Sequence, residues 1–194
     1  TFIATTLGTL AALGLSRPHM PYKGLIMAIL ISPMIVPLII TAAGMFFFYA
    51  RINLVYTFTG VILAHVALAT PFVVITVTAT LVGFDMNMVK ASQSLGARPV
   101  RTFFKVIMPL ILPGVISGAL FAFITSFDEV VIVMFMASLD QLTIPKQMWA
   151  GIRQEISPVI LCMATCLVAL SIFLLTTVEL LRRRSEKLRG ITSR

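Results

Sequence analysis

Charge is what this 194-residue sequence lacks most: Asp, Glu, Lys and Arg make up 11% of it, against 59% apolar residues. A soluble globular domain carries roughly 25% charged residues, so that class is excluded. Cysteine and histidine are scarce, with two of each. Cys162 and Cys166, one helical turn apart in apolar sequence, are too few to complete a metal site and read as small packing residues. The chain has no G-x-x-x-x-G-K-[ST] loop, no H-E-x-x-H and no G-x-S-x-G. It therefore lacks the motifs of a phosphate-binding loop, a zinc protease and a serine hydrolase.

What is present is a series of long uncharged runs. A hydrocarbon core about 30 Å thick takes about 20 apolar residues per helix. Runs of that size occur at 24–50, 52–84, 106–127 and 156–178, so the chain is an integral membrane protein and its fold class is all-α. A shorter uncharged run, 1–16, starts at Thr1 without Met or a basic leader region. It is expected to be part of a helix, with one or more N-terminal helices before it. Ala4, Gly8 and Ala12 make a small-residue stripe on that helix, suited to close helix contact.

The net charge of +8 does not indicate nucleic acid, because of where the cations sit. If the four full spans alternate, one side receives the loops at 16–23 and 85–105 and the tail from 182. That side holds 12 of the 15 cations, leaving Arg51, Lys146 and Arg153 on the other. Such asymmetry makes the 85–105 loop and the C-terminus cytoplasmic. Contact with anionic lipid accounts for the tail "RRRSEKLR".

Within this frame, Pro33 and Pro37 predict a kinked span over 25–50. A span over 57–82 contains His65, with a structural hydrogen bond as its expected role and a pathway position as the alternative. His19, between two prolines, reads as a solvated loop residue. A span over 110–136 carries Gly114 and Gly118 as a packing motif. Residues 138–158, with the only Trp, are expected along the outer membrane surface, and a last span covers 158–181.

Two stretches carry the functional signal. In "KASQSLGARPVRTFFKVIMP" (90–109), four cations and no acid hang between two spans. The good helix formers of 88–95 predict a helix that Gly96 ends with a left-handed cap. Pro99 suits the first turn of a second helix, and Pro109 marks where the next span begins. In "TSFDEVVIVMF" (125–135), Asp128 and Glu129 lie roughly 27 Å along a helix from Pro109, towards the outer half of the bilayer. On a continuous helix Ser117, Phe121, Thr125 and Asp128 share one face, and Ser126 and Glu129 the adjacent one. Two readings stand: a carboxylate and aromatic path for an organic cation, or acids held by packing partners at a pathway rim. Neighbouring acids point about 100° apart on a helix, which suits a catalytic dyad poorly.

The 90–109 segment is similar to the EAA loop of binding-protein-dependent ABC transporter permeases. That pattern is Glu-Ala-Ala, three residues, Gly, nine residues, then Ile-x-Leu-Pro. Here Lys90-Ala91-Ser92, Gly96 and Val106-Ile107-Met108-Pro109 stand at the matching spacing. Lys90 reverses the family charge, and Ser92 replaces the second alanine. "SFDEVVIVMF" and "LTIPKQMWAGIRQEISP" resemble the spermidine/putrescine type, and the likeness covers essentially the whole chain.

The resemblance implies a single permease domain over 1–194, with a coupling loop at 83–109 and a core of five to six helices. It makes Lys90, Ala91, Ser92, Leu95, Gly96, Val106 and Pro109 the ATPase-coupling residues, and Phe121, Thr125, Asp128 and Glu129 the substrate path. ATP and Mg are expected on a partner ATPase dimer, with no cofactor on this chain. A second permease, a periplasmic solute-binding protein and membrane lipid complete the partners, in a bacterial inner membrane. The expected role is a transport subunit, not an enzyme, for polyamines, with an opine-like solute as alternative. A secondary transporter would carry coupling-ion groups and often an inverted repeat, and neither is present in the sequence.

Overall fold

The structure, a computed structural model, describes residues 1–17, 20–83, 85–154 and 158–188. His19 and the end of the basic tail lie outside them. Among the described residues all regular structure is helical, in the order α1 (Phe2–Leu15), α2 (Lys23–Ile35), α3 (Leu38–Arg51), α4 (Phe58–Val82), α5 (Met86–Ser94), α6 (Pro99–Thr102), a π-helical turn (Phe103–Ile107), α7 (Met108–Phe127), α8 (Val131–Met136), α9 (Ile144–Gln154) and α10 (Pro158–Leu188). Among the described residues three stretches are long and apolar enough to cross a membrane: Phe58–Val82, Pro99–Phe127 and Pro158–Thr177. Counting α2 and α3 together makes four, fewer than the five to six helices expected.

The fold centres on α4, because small residues let its neighbours approach. In lipid, apolar area does not drive helices together, so close van der Waals contact must. The α1 stripe faces α4: Ala4, Gly8 and Ala12 are all buried, and a Cβ on Gly8 would lie 2.6 Å from Val73 Cβ. On an adjoining face, α7 brings Gly118, where a Cβ would lie 2.9 Å from Val73 Cα and against Thr76 Oγ1. Gly114 likewise abuts Thr80. These threonines can face glycine because their hydroxyls are satisfied within α4, Thr76 donating to Phe72 O (2.9 Å) and Thr80 to Thr76 O (3.0 Å). A second apolar cluster joins α3 and α8 to α4 through Ala42, Ala64, Leu68, Ile132 and Met136.

The expected kinked span over 25–50 is instead broken, with α2 and α3 meeting at 107°. A residue before proline is driven into the extended region, and Val36 adopts φ −71°, ψ 136° ahead of Pro37. Ile40 and Thr41 then donate to Pro37 O (2.9 and 3.1 Å), starting a new helix in a new direction. The expected span over 110–136 also breaks, as described below. Cys162 and Cys166, expected to pack, are exposed on α10, whose apolar window buries nothing within this chain.

Candidate functional site

The 86–107 segment forms the expected helix, glycine break and helix. Asp85 opens α5, its Oδ1 accepting from Asn87 N (2.9 Å). At the other end Ala97 N donates to Ser92 O (3.1 Å) and Gly96 N to Gln93 O (2.9 Å). This is a Schellman turn, which needs the left-handed φ of +79° that Gly96 adopts. Pro99 then starts α6 with its fixed φ and no N–H to leave unpaired. The sequence reading missed what closes the hairpin: Ser92 Oγ lies 3.1 Å from Thr102 Oγ1, and Thr102 is only 2% exposed. A buried hydroxyl needs a partner, so this bond ties the two limbs at fixed spacing.

Pro109 does not separate the second limb from the span. The helix runs on from Pro99 to Phe127 through the π turn, in which Met108 N donates to Phe103 O. The widened turn falls where Pro109, with no N–H, cannot supply the next rung of the ladder. Val106 is half-buried in this turn, while Lys90, Ala91 and Leu95 are exposed. The hinge is thus an extension of the single rod that also forms the span.

At the rod's far end the structure corrects the expected continuous helix. α7 stops at Phe127, the exposed Asp128 is its C-cap, and a new short helix begins at Val131. The break has a local cause. Glu129, 6% exposed, turns its carboxylate onto the new helix, Oε1 accepting from Ile132 N at 2.6 Å. Such side-chain capping competes with helix continuation. Ser126 is engaged as well: its Oγ lies 3.0 Å from His65 Nδ1, the structural hydrogen bond expected of that histidine.

The acids are therefore divided. Glu129 and Ser126 line a cavity of about 220 Å³ together with Phe123, Phe127, Thr143 and Pro145. Phe123 and Phe127 stack there with centroids 5.3 Å apart. Asp128 does not line it. Phe121, 47% exposed, stacks on Phe72 (6.4 Å), and Thr125 is half-buried. Thr143 lies just before α9, outside the helix that carries Phe123, Ser126 and Phe127, so helical periodicity could not place it there. Among the described residues no group of three or more His, Cys, Asp or Glu could hold a metal ion.

Residues 4–187 match the model of the family described as binding-protein-dependent transport system inner membrane component. The chain is 31% identical over 184 residues to the spermidine/putrescine transport system permease protein PotC of Haemophilus influenzae, covering 95% of this chain and 72% of that protein. It is 30% identical to PotC of Escherichia coli K12 over 95% of this chain and 70% of that one. The putrescine permease protein PotI of the same strain is 35% identical over 103 residues, 53% of this chain and 37% of that protein. Among solved structures, a chain of the MetNI methionine ABC transporter in inward facing conformations has TM-score 0.72 at 18% identity, covering 95% of this chain and 88% of that chain.

Proposed function

The chain belongs to the family of binding-protein-dependent transport system inner membrane components, and on that premise we propose that it is the permease subunit of an ATP-driven importer of spermidine- and putrescine-like polyamines. The observation that carries the reading is the rod from Pro99 to Phe127, with a bonded hairpin at one end and the Asp128–Glu129 break at the other. A rigid rod of 29 residues spans roughly 43 Å at helical rise. Closure of an ATPase dimer on the hairpin would move the rod and so displace the break.

The break offers chemistry suited to an ammonium group. One oxygen of Glu129 is held by Ile132 N, the Ser126 and Thr143 side chains stand in the same cavity, and the Phe123–Phe127 pair adds aromatic surface. Asp128, exposed beside it, would meet the cation first. Lys90, Ala91, Ser92, Leu95, Gly96, Val106 and Pro109 form the coupling element, with ATP and Mg held by the partner subunit. A periplasmic binding protein would deliver the solute, and a second permease would complete the pathway, with the hairpin and C-terminus in the cytoplasm.

The test is uptake of labelled spermidine and putrescine by cells deleted for the full-length gene and complemented with it. ATP-dependent uptake that resists an uncoupler is expected. An assembled complex that restores no polyamine uptake would remove the substrate assignment.

A further inference from the structure

We infer that the hairpin is matched to an ATPase cleft with an apolar floor and an acidic rim, so that Lys90, Arg98 and Arg101 select the ATP-hydrolysing partner by charge. This rests on the function proposed above and adds the chemistry of the interface. The hairpin tip presents Leu95 (88% exposed) and Val100, with Met88 half-exposed on α5, an apolar surface that this chain leaves uncovered. Lys90, Arg98 and Arg101 are exposed around it. Asp85, the only acid in the sequence of 83–109, is engaged as the α5 cap, and none of the three cations has an ion pair among the described residues.

Anionic lipid is the competing occupant, and the length of the rod argues against it. The 20 residues of α7 span about 30 Å, which fills the hydrocarbon core. Headgroups add roughly 5–8 Å on each side. Lys105, three residues before Met108, stands roughly 5 Å beyond the core, within the headgroups. Pro99, nine residues before Met108 on the same helix, stands roughly 14 Å beyond it, and Arg98 and Leu95 lie at that end. With α7 filling the core along the bilayer normal, the tip clears the headgroup layer, while Lys105 does not. An apolar surface ringed by cations and held clear of lipid calls for a protein surface of opposite charge.

The test uses the full-length permease in complex with its ATPase, purified in detergent and in nanodiscs. Retention of the ATPase is measured against NaCl concentration for wild type, Lys90→Glu/Arg98→Glu, the charge-preserving Lys90→Arg/Arg98→Lys, and Lys105→Glu. Wild-type retention is expected to weaken as salt rises. The double reversal should weaken retention at least about tenfold at low salt, with the charge-preserving pair and Lys105→Glu near wild type. Retention that is insensitive both to salt and to the double reversal would overturn the inference and leave the importer reading standing. So would a double reversal that lowers only binding to phosphatidylglycerol vesicles. A wild-type complex that holds no ATP-hydrolysing subunit would overturn both. The salt dependence of the wild type decides the matter even if the reversed variant does not accumulate.

Discussion

Gly118→Ala should loosen the contact through which the rod is seated on the central helix. The added Cβ would meet Thr76 Oγ1 and stand 2.9 Å from Val73 Cα and 3.4 Å from Val73 Cβ, so two of its three obstacles belong to one residue of α4. Backbone cannot rotate away as a side chain can. A shift of α4 would also disturb its packing on α1, where a Cβ built on Gly8 would lie 2.6 Å from Val73 Cβ. Overpacking of this kind costs about 1–3 kcal/mol, and about 2 kcal/mol is roughly a 30-fold loss in the folded-to-unfolded ratio. The assay is reversible unfolding in mixed micelles by SDS titration. Gly44→Ala serves as control, since a Cβ on Gly44 meets nothing within 4 Å. Its stability should lie within about 0.5 kcal/mol of wild type. Equal stability of Gly118→Ala and wild type would refute the claim that glycine seats α7 on α4.

Gly96→Ala forces a β-carbon into the left-handed region and should destabilise the hairpin by about 1 kcal/mol, uncoupling ATP hydrolysis from uptake while the complex still assembles; hydrolysis and uptake measured together check this. Glu129→Gln keeps an oxygen for Ile132 N and should preserve stability while lowering polyamine uptake at least about tenfold. Glu129→Ala should in addition lose about 1 kcal/mol of stability with the cap, and equal uptake by Glu129→Gln and wild type would remove the carboxylate from the path. His65→Ala and Ser126→Ala should each cost about 1 kcal/mol, and the double variant little more than either alone; additive losses in the same SDS titration would mean that the two side chains do not interact.

Much of the hinge was legible because its signals are local. Gly96 needs only its own φ, Pro99 only its own ring, and both act within one turn of backbone. The small-residue stripes at Ala4, Gly8 and Ala12 and at Gly114 and Gly118 were legible for a related reason: in a uniformly apolar helix, a missing side chain is the one mark of a close neighbour. The outer site is less legible. Its acids stand out in apolar sequence, but the run to 136 shows no sign that a glutamate will turn back to cap a new helix at Ile132.

By itself, then, the sequence determined the membrane class, the approximate extent of the apolar segments, the glycine-turned hairpin and the small-residue seams. Only the tertiary structure decided that α2 and α3 part at 107°, that Ser92 finds Thr102 and His65 finds Ser126, that Glu129 faces a cavity while Asp128 does not, and that the cysteines of α10 point outward. The reason is the solvent. In water, alternation of polar and apolar residues marks which face is buried. In lipid both the outside and the inside of a bundle are apolar, so a helix such as α4 is equally apolar all round, and only the neighbours it meets define its faces.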